Sequence, residues 1–322
     1  MIKRRQFTSA CTIGAIVLML SLHAMPANAA KGLIRIHEAD WTGNVAMVRM
    51  VQFILEEEMD YKTKKIFLPA GPGVFLAIIA GEIDVGFEFW PSYSPDRVKY
   101  ISKWGGDGSI AYFGETGFIG NSGWYVPRYV IEGDAERGIE AVAPDLKSWE
   151  DLNRYKHLFA TPETAPSGRL VACPIAAWQA DDIGRVKGLD LDYKTVELGS
   201  ETAQWAELEA AYKRGEPILI YSWEPHWTHA MYDMVEIDLP PYDENKWPVT
   251  DWPEDIPYNF GSPTLQERHP DAYAFLSSMK FTAQQQAEMI LDIDIHGMDT
   301  DSAVRKWMAA HEDLWRSWIP DM

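Results

Sequence analysis

Four tryptophans stand where a strand gives way to a loop or a helix. Trp41 follows an apolar strand at 33–37 and precedes a helix. Trp90 closes Phe89-Trp90-Pro91 at the end of a strand at 83–89. Trp124 opens an extended stretch, and Trp223 ends a buried strand in Trp223-Glu224-Pro225-His226-Trp227. In α/β proteins such positions surround the ligand crevice. An indole face is electron-rich, and a methylated cation has no N–H with which to satisfy itself by hydrogen bonding. Each cation–π contact is worth about 0.5–2 kcal/mol. Four rings then supply several of the ~8 kcal/mol that micromolar binding requires, and burial of the methyl groups adds to it. Two of the four come from the first part of the chain and two from the middle, so they meet only if two halves of the fold face one another. Among the 14 tryptophans, Trp149, Trp178, Trp205, Trp307, Trp315 and Trp318 fall at helical positions and read as packing.

Polar candidates are fewer. Glu88 lies two residues before Trp90, so on a strand it shares that face. There it balances a cation or pairs with an arginine. Ser167 and Arg169, at the start of an expected helix, are further candidates for the polar end of a ligand. His226 and His229 form H-x-x-H beside Glu224, but without a third placed ligand this specifies no metal. The chain holds no G-x-S-x-G, no phosphate loop and no dinucleotide fingerprint. The pattern is therefore that of a binding protein without cofactor or metal, not of an enzyme. Cys173 has no histidine close in sequence and reads as a buried, inert thiol.

Strand and helix signals alternate through most of the chain, which predicts an α/β fold with largely parallel sheets. In the first part, a strand at 33–37, a helix at 45–59, a strand at 65–68, a helix at 72–80 stopped by Gly81 and a strand at 83–89 follow one another. The pattern restarts after Gly117. An extended stretch at 124–131 precedes a helix at 149–155 capped by Ser148, a strand at 158–161, and a helix at 169–181 capped by Ser167. A strand at 193–198, a helix at 201–214 between Ser200 and Gly215, and strands at 217–223 and 235–239 complete it. Residues 240–263 are rich in Pro, Asp and Trp, have no period, and read as loop. Helices are expected at 270–279, 283–292 and 301–318.

The first 29 residues have another character. Lys3, Arg4 and Arg5 precede an apolar run from Cys11 to Leu22, and Ala27-Asn28-Ala29 fits a small-residue cleavage site. Residues 1–29 are thus expected to be a cleaved export signal, placing the mature chain in the periplasm. Arg4-Arg5-Gln6-Phe7 also resembles a twin-arginine signal. No later segment is apolar enough to span a bilayer. Cys173 is then the single remaining cysteine, so no internal disulfide forms. Without the signal, 26 Lys+Arg stand against 48 Asp+Glu, a balance of −22. That argues against a nucleic-acid partner and is compatible with a cationic ligand, or serves solubility alone.

The order and spacing of several motifs resemble the glycine betaine/choline-binding proteins of ABC importers, a cluster of type II periplasmic binding proteins. They are Trp41-Thr42-Gly43-Asn44, Gly81-Glu82-Ile83-Asp84-Val85, Phe89-Trp90-Pro91, Gly123-Trp124-Tyr125-Val126-Pro127, Asp145-Leu146-Lys147, Trp223-Glu224-Pro225-His226, Lys280-Phe281-Thr282 and the Trp307 to Trp318 region. The resemblance implies a two-lobed clamp, with residues 31–118 and 232–322 in one lobe, 119–231 in the other, and the ligand in the cleft. It implies that Trp41, Trp90, Trp124 and Trp223 form an aromatic box for a quaternary-ammonium or related onium compound. In the family's choline binders an acidic residue follows the first box tryptophan by two positions. Here that position is Gly43, so a glycine betaine-like ligand is expected, its carboxylate held by the backbone of Gly43 and Asn44 with His226 beside it. A monomeric capture protein serving an inner-membrane permease and its ATPase follows from the same resemblance. A sensory role, or capture of choline or of a different small solute, is the alternative.

Overall fold

The computed structural model describes residues 30–321; the expected export signal at 1–29 lies outside the described residues. Among those described, ten strands form two five-stranded sheets. The first holds β1 (Leu33–Glu38), β2 (Lys62–Phe67), β3 (Val85–Phe89) and β4 (Ala111–Glu115). The second holds β5 (Asn121–Pro127), β6 (Gly168–Val171), β7 (Tyr193–Val196), β8 (Leu219–Glu224) and β9 (Met234–Glu236). The chain then returns to the first sheet with β10 (Tyr258–Gly261). The orders are β2-β1-β3-β10-β4 and β7-β6-β8-β5-β9. In each, three strands are parallel, and the rest run antiparallel to their neighbours. This is the expected mixed α/β architecture of two lobes.

Helices cover both sheets. In the first lobe the helix Thr42–Phe53 buries Met47, Val48, Met50 and Val51 against Ile34 and Ile36 of β1 and against the late helices Ala283–Asp294 and Thr300–Ala310. In the second, Ser148 and Asp151 form a capping box at the start of the helix Trp149–Phe159. Ser200 caps the helix Glu201–Arg214, and Gly215 ends it at φ 67.

Three stretches differ from expectation. Residues 168–171 are strand, followed by a single turn at Ala176–Trp178 and a helix only at Asp182–Gly188. Leu170 and Val171 are buried there, and Pro174 cannot donate within a helix. The strand expected at 158–161 is absorbed by the end of the capped helix. Within the expected loop, β10 carries two buried aromatics, Tyr258 and Phe260, and pairs on both edges.

The chain passes between the lobes twice, along 116–120 and 255–257, and the two passages bond to each other. Thr116 N–H donates to Pro257 O at 2.8 Å, and Gly120 and Asp255 exchange bonds of 2.7 and 2.9 Å. The second passage thus comes well after the expected boundary at residue 231. The reason is that β9 pairs with the edge of β5, and Ile237, Leu239 and Trp252 bury themselves in the second core. Among the described residues no helix is long and apolar enough to cross a membrane.

Candidate functional site

A cavity of about 70 Å³ opens between the lobes, walled mostly by aromatic carbon. The first lobe contributes Trp41, Glu88, Trp90 and Tyr93; the second contributes Trp178, Tyr221 and Trp223. Trp41 is the extended residue that begins the helix Thr42–Phe53. Trp90 directly follows β3. Trp223 and Tyr221 alternate on β8 and so share one face. Trp178 ends the turn after β6.

Trp178 meets Trp41 at 5.6 Å between centroids and 83°, and meets Trp223 at 5.6 Å and 84°. Three indoles thus form a corner of near-perpendicular walls. Two glycines allow the approach. Gly71 has φ 145, and a Cβ there would lie 2.6 Å from Ala177 O in the opposite lobe. A Cβ on Gly120 would lie 2.1 Å from the Trp90 ring.

Hydrogen bonds cross between the lobes around this corner. Trp178 Nε1 donates to Asp40 at 2.8 Å. Thr42 N–H donates to Glu201 Oε2 at 2.9 Å, and within the first lobe Thr42 Oγ1 donates to Asp294 at 2.9 Å. Trp227 Nε1 reaches the same Asp294 at 2.8 Å. The Tyr93 hydroxyl bonds to Tyr221 at 2.7 Å and to Ser122. The lobes are therefore closed on one another.

The charge around the cavity is acidic. Glu88 accepts from Gln286 Nε2 at 2.8 Å and from Trp90 Nε1 at 3.3 Å. Burial pushes it up to about 7, and the nearby Glu201 adds to that; the nearby Trp41 indole and the bonds from Trp90 and Gln286 pull the other way. Burial also raises Asp40 and Asp294. Glu201 is buried too, but His226 and the surrounding donors outweigh burial and hold it below the usual carboxylate range. His37 is pushed down to about 4 by burial and is neutral. Among the described residues no lysine or arginine lines the cavity.

Of the residues expected from sequence, Trp41, Trp90, Trp223 and Glu88 come together here. Trp124 does not. It is 0% exposed in the second core, its Nε1 bonded to Asp182 at 2.8 Å, with Arg185 beyond. Its place in the corner is filled by Trp178, whose expected helix is in fact a strand and a turn. Gly43 and Asn44 do not line the cavity. The Asn44 side chain is committed to Ala39 N–H at 2.8 Å and Phe87 O at 3.2 Å, and Glu201 already faces the helix start. His226 lies behind Trp223, bonded to Glu201 at 3.0 Å and Thr228 at 3.0 Å. Ser167 bonds to Asp192, and Arg169 to Glu207, on a distant side of the second lobe. Tyr93 and Tyr221 were legible only as aromatics next to Trp90 and Trp223.

His226 and His229 do not converge on a metal; His229 turns to Ser222 at 2.9 Å. Glu201, His226 and Asp294 do bring ligand-type atoms within 4.8 Å of one another. Each of the three already has protein partners. Cys173 is buried, and its thiol is raised well above its ordinary value by burial.

Comparison with known proteins identifies the family and the fold. The family described as the substrate binding domain of ABC-type glycine betaine transport systems matches residues 32–310. The trimethylamine N-oxide-binding protein of Pelagibacter ubique is 27% identical over 321 residues, 94% of this chain and 96% of that one. Lactococcal glycine betaine-binding protein, closed on its ligand, superposes with a TM-score of 0.68 at 20% identity, covering 90% of this chain and 100% of that one. A choline-binding protein in complex with choline gives 0.68 at 20% identity over 89% and 92%. The likeness to these solved structures is one of fold.

Proposed function

The chain belongs to the family of substrate-binding domains of ABC-type glycine betaine transport systems, and from that premise we propose that its cleft captures a small methylated onium compound in the corner made by Trp41, Trp178 and Trp223, with Trp90 as the fourth wall. The family is one of transport, not of catalysis.

The observation that carries this reading is the set of perpendicular indoles facing a cavity that, among the described residues, is lined by no lysine or arginine. Rings meeting at right angles present several negative faces to one point, which suits a tetrahedral head with methyl groups in every direction. The surrounding carboxylates add an attractive field. The relative that binds trimethylamine N-oxide, and the folds seen with glycine betaine and choline, supply the ligands to try. Closure of the lobes over the ligand gives the shape that a permease and its ATPase recognise, with the chain working as a monomer in the periplasm.

The test is calorimetric titration of the mature protein with tetramethylammonium, choline, glycine betaine and trimethylamine N-oxide. Saturable binding of at least one, weakened at least tenfold in Trp178→Ala and Trp223→Ala, is expected. Equal binding by wild type and both variants would remove the aromatic corner from the account.

A further inference from the structure

The onium reading above leaves the ligand's polar end open, and the cavity wall bears on it. Glu88 is 3% exposed and has φ 57, a backbone conformation seldom taken by glutamate. That backbone lies within the buried strand β3, and Glu88 lines the cavity. Gln286 and Trp90 give it two hydrogen bonds, whereas a carboxylate accepts about four. His37, also on the wall, is bonded through Nε2 to Leu68 O at 2.9 Å, and its buried Nδ1 has no partner. With Nε2 as the donor, Nδ1 is an acceptor. The hydroxyls of Tyr93 and Tyr221 are engaged with each other. An unpaired donor, the Trp41 indole N–H, stands near Glu88 and helps stabilise its charge.

The wall therefore offers spare acceptors, negative charge and an indole N–H. A ligand carboxylate would meet Glu88 with no cation to compensate, an unfavourable burial. A single oxygen that takes the indole N–H and shares a proton with the carboxylate would satisfy both. Gly43 fits the same arrangement. A Cβ there would lie 3.0 Å from Gln286 Nε2 and 3.5 Å from Glu88 Oε2, pressing on the pair that holds the carboxylate in place.

We propose that Glu88 is the specificity-determining residue of the cleft: the ligand is a methylated onium compound whose one oxygen shares a proton with the Glu88 carboxylate, and onium carboxylates are selected against. An alcohol brings the proton itself. An amine oxide brings none, and its oxygen accepts a hydrogen bond from the protonated Glu88 carboxyl, which keeps the proton because a protonated amine oxide is the stronger acid.

Titration of the full chain near pH 7 with choline, trimethylamine N-oxide, glycine betaine and tetramethylammonium tests this on wild type, Glu88→Gln and Glu88→Asp. Wild type is expected to bind choline or the N-oxide about tenfold or more tighter than glycine betaine. Glu88→Gln should weaken that preferred ligand about tenfold more than it weakens tetramethylammonium, and should leave glycine betaine unchanged or tighter. Glu88→Asp, which keeps the acid, should recover part of the preference, guarding against a merely misfolded variant. The two sources of oxygen separate above about pH 7, where Glu88 gives up its proton. There the N-oxide weakens and choline does not; Glu201, Asp40, Asp294, His37 and the Glu201-paired His226 are the other ionisable side chains around the cleft. Wild type preferring glycine betaine, or Glu88→Gln weakening all four ligands in parallel, overturns the proposal and leaves the aromatic corner standing. Binding of none of the four removes the onium reading and this inference with it.

Discussion

The two lobes repeat one sheet order but meet the cavity differently. The second lobe presents Trp178, Tyr221 and Trp223, all buried and braced from behind. Trp223 packs on Trp205 at 5.0 Å and on His226 at 5.2 Å, and Glu201 locks His226 in turn. The first lobe presents Trp41, Trp90 and Tyr93, which are only half-buried, together with the Glu88 carboxylate. One wall is thus fixed before any ligand arrives. The other completes itself on closure and carries the charge. Affinity should accordingly depend most on the second lobe, and selectivity on the first.

The strongest way to break this comparison is to truncate one ring on each side. Trp223→Ala, which opens both the corner and the stack behind it, is expected to weaken binding by about a hundredfold or more in calorimetry, against about tenfold for Trp41→Ala or Trp90→Ala. Equal losses would mean that neither wall is the more preorganised.

A second test sets Trp178 against Trp124 within the braced lobe. Trp178→Ala should cost about thirtyfold in affinity. Trp124→Phe should leave affinity nearly unchanged. It should still lower stability to denaturant by about 1–3 kcal/mol, because the buried Asp182 loses the indole N–H that it accepts.

On the charged side, Glu88 makes ligand-free stability depend on pH. Its folded value of about 7 exceeds the ordinary glutamate value, so the folded state holds the proton more tightly than the unfolded one. Its contribution is most favourable below the unfolded value, falls as pH rises through that window, and levels off above about 7. The full cost is on the order of 3 kcal/mol. Glu88→Gln should therefore melt well above wild type in mildly alkaline buffer and close to it in acid.

The smallest effect expected is at the seam. Asp294→Ala removes the partner of Thr42 Oγ1 within the first lobe and of Trp227 Nε1 across the cleft, and with the latter one of the bonds that hold the lobes shut. A loss of about three- to tenfold in affinity, through faster release, is expected in stopped-flow measurements.

What the sequence could and could not reveal follows from the same physics. Trp41, Trp90, Trp223 and Glu88 were legible because each adjoins a strand of strong local character. Trp124 was misplaced, since alternation on a strand says which residues share a face but not how far along it the cavity reaches. Trp178 was hidden by an apolar run, 170–178, that suits helix and buried strand equally; Pro174 was the available signal. β10 was missed because four residues between prolines carry no period, and their pairing with β3 and β4 is entirely long-range. The commitment of Asn44 and His226 to the scaffold could not be read at all, as both depend on partners far away in the chain.

The indole N–H groups of Trp178 and Trp227 donate to carboxylates on the opposite lobe, Asp40 and Asp294. Opening the clamp would hand both N–H groups, and the faces of Trp41 and Trp223, to water. Indole emission depends on just this exposure and on nearby charge. The protein therefore carries its own optical gauge of closure, one that needs no label. The two reporters can be told apart by substitution, because Trp178 packs on Trp223 and Trp227 on Trp205.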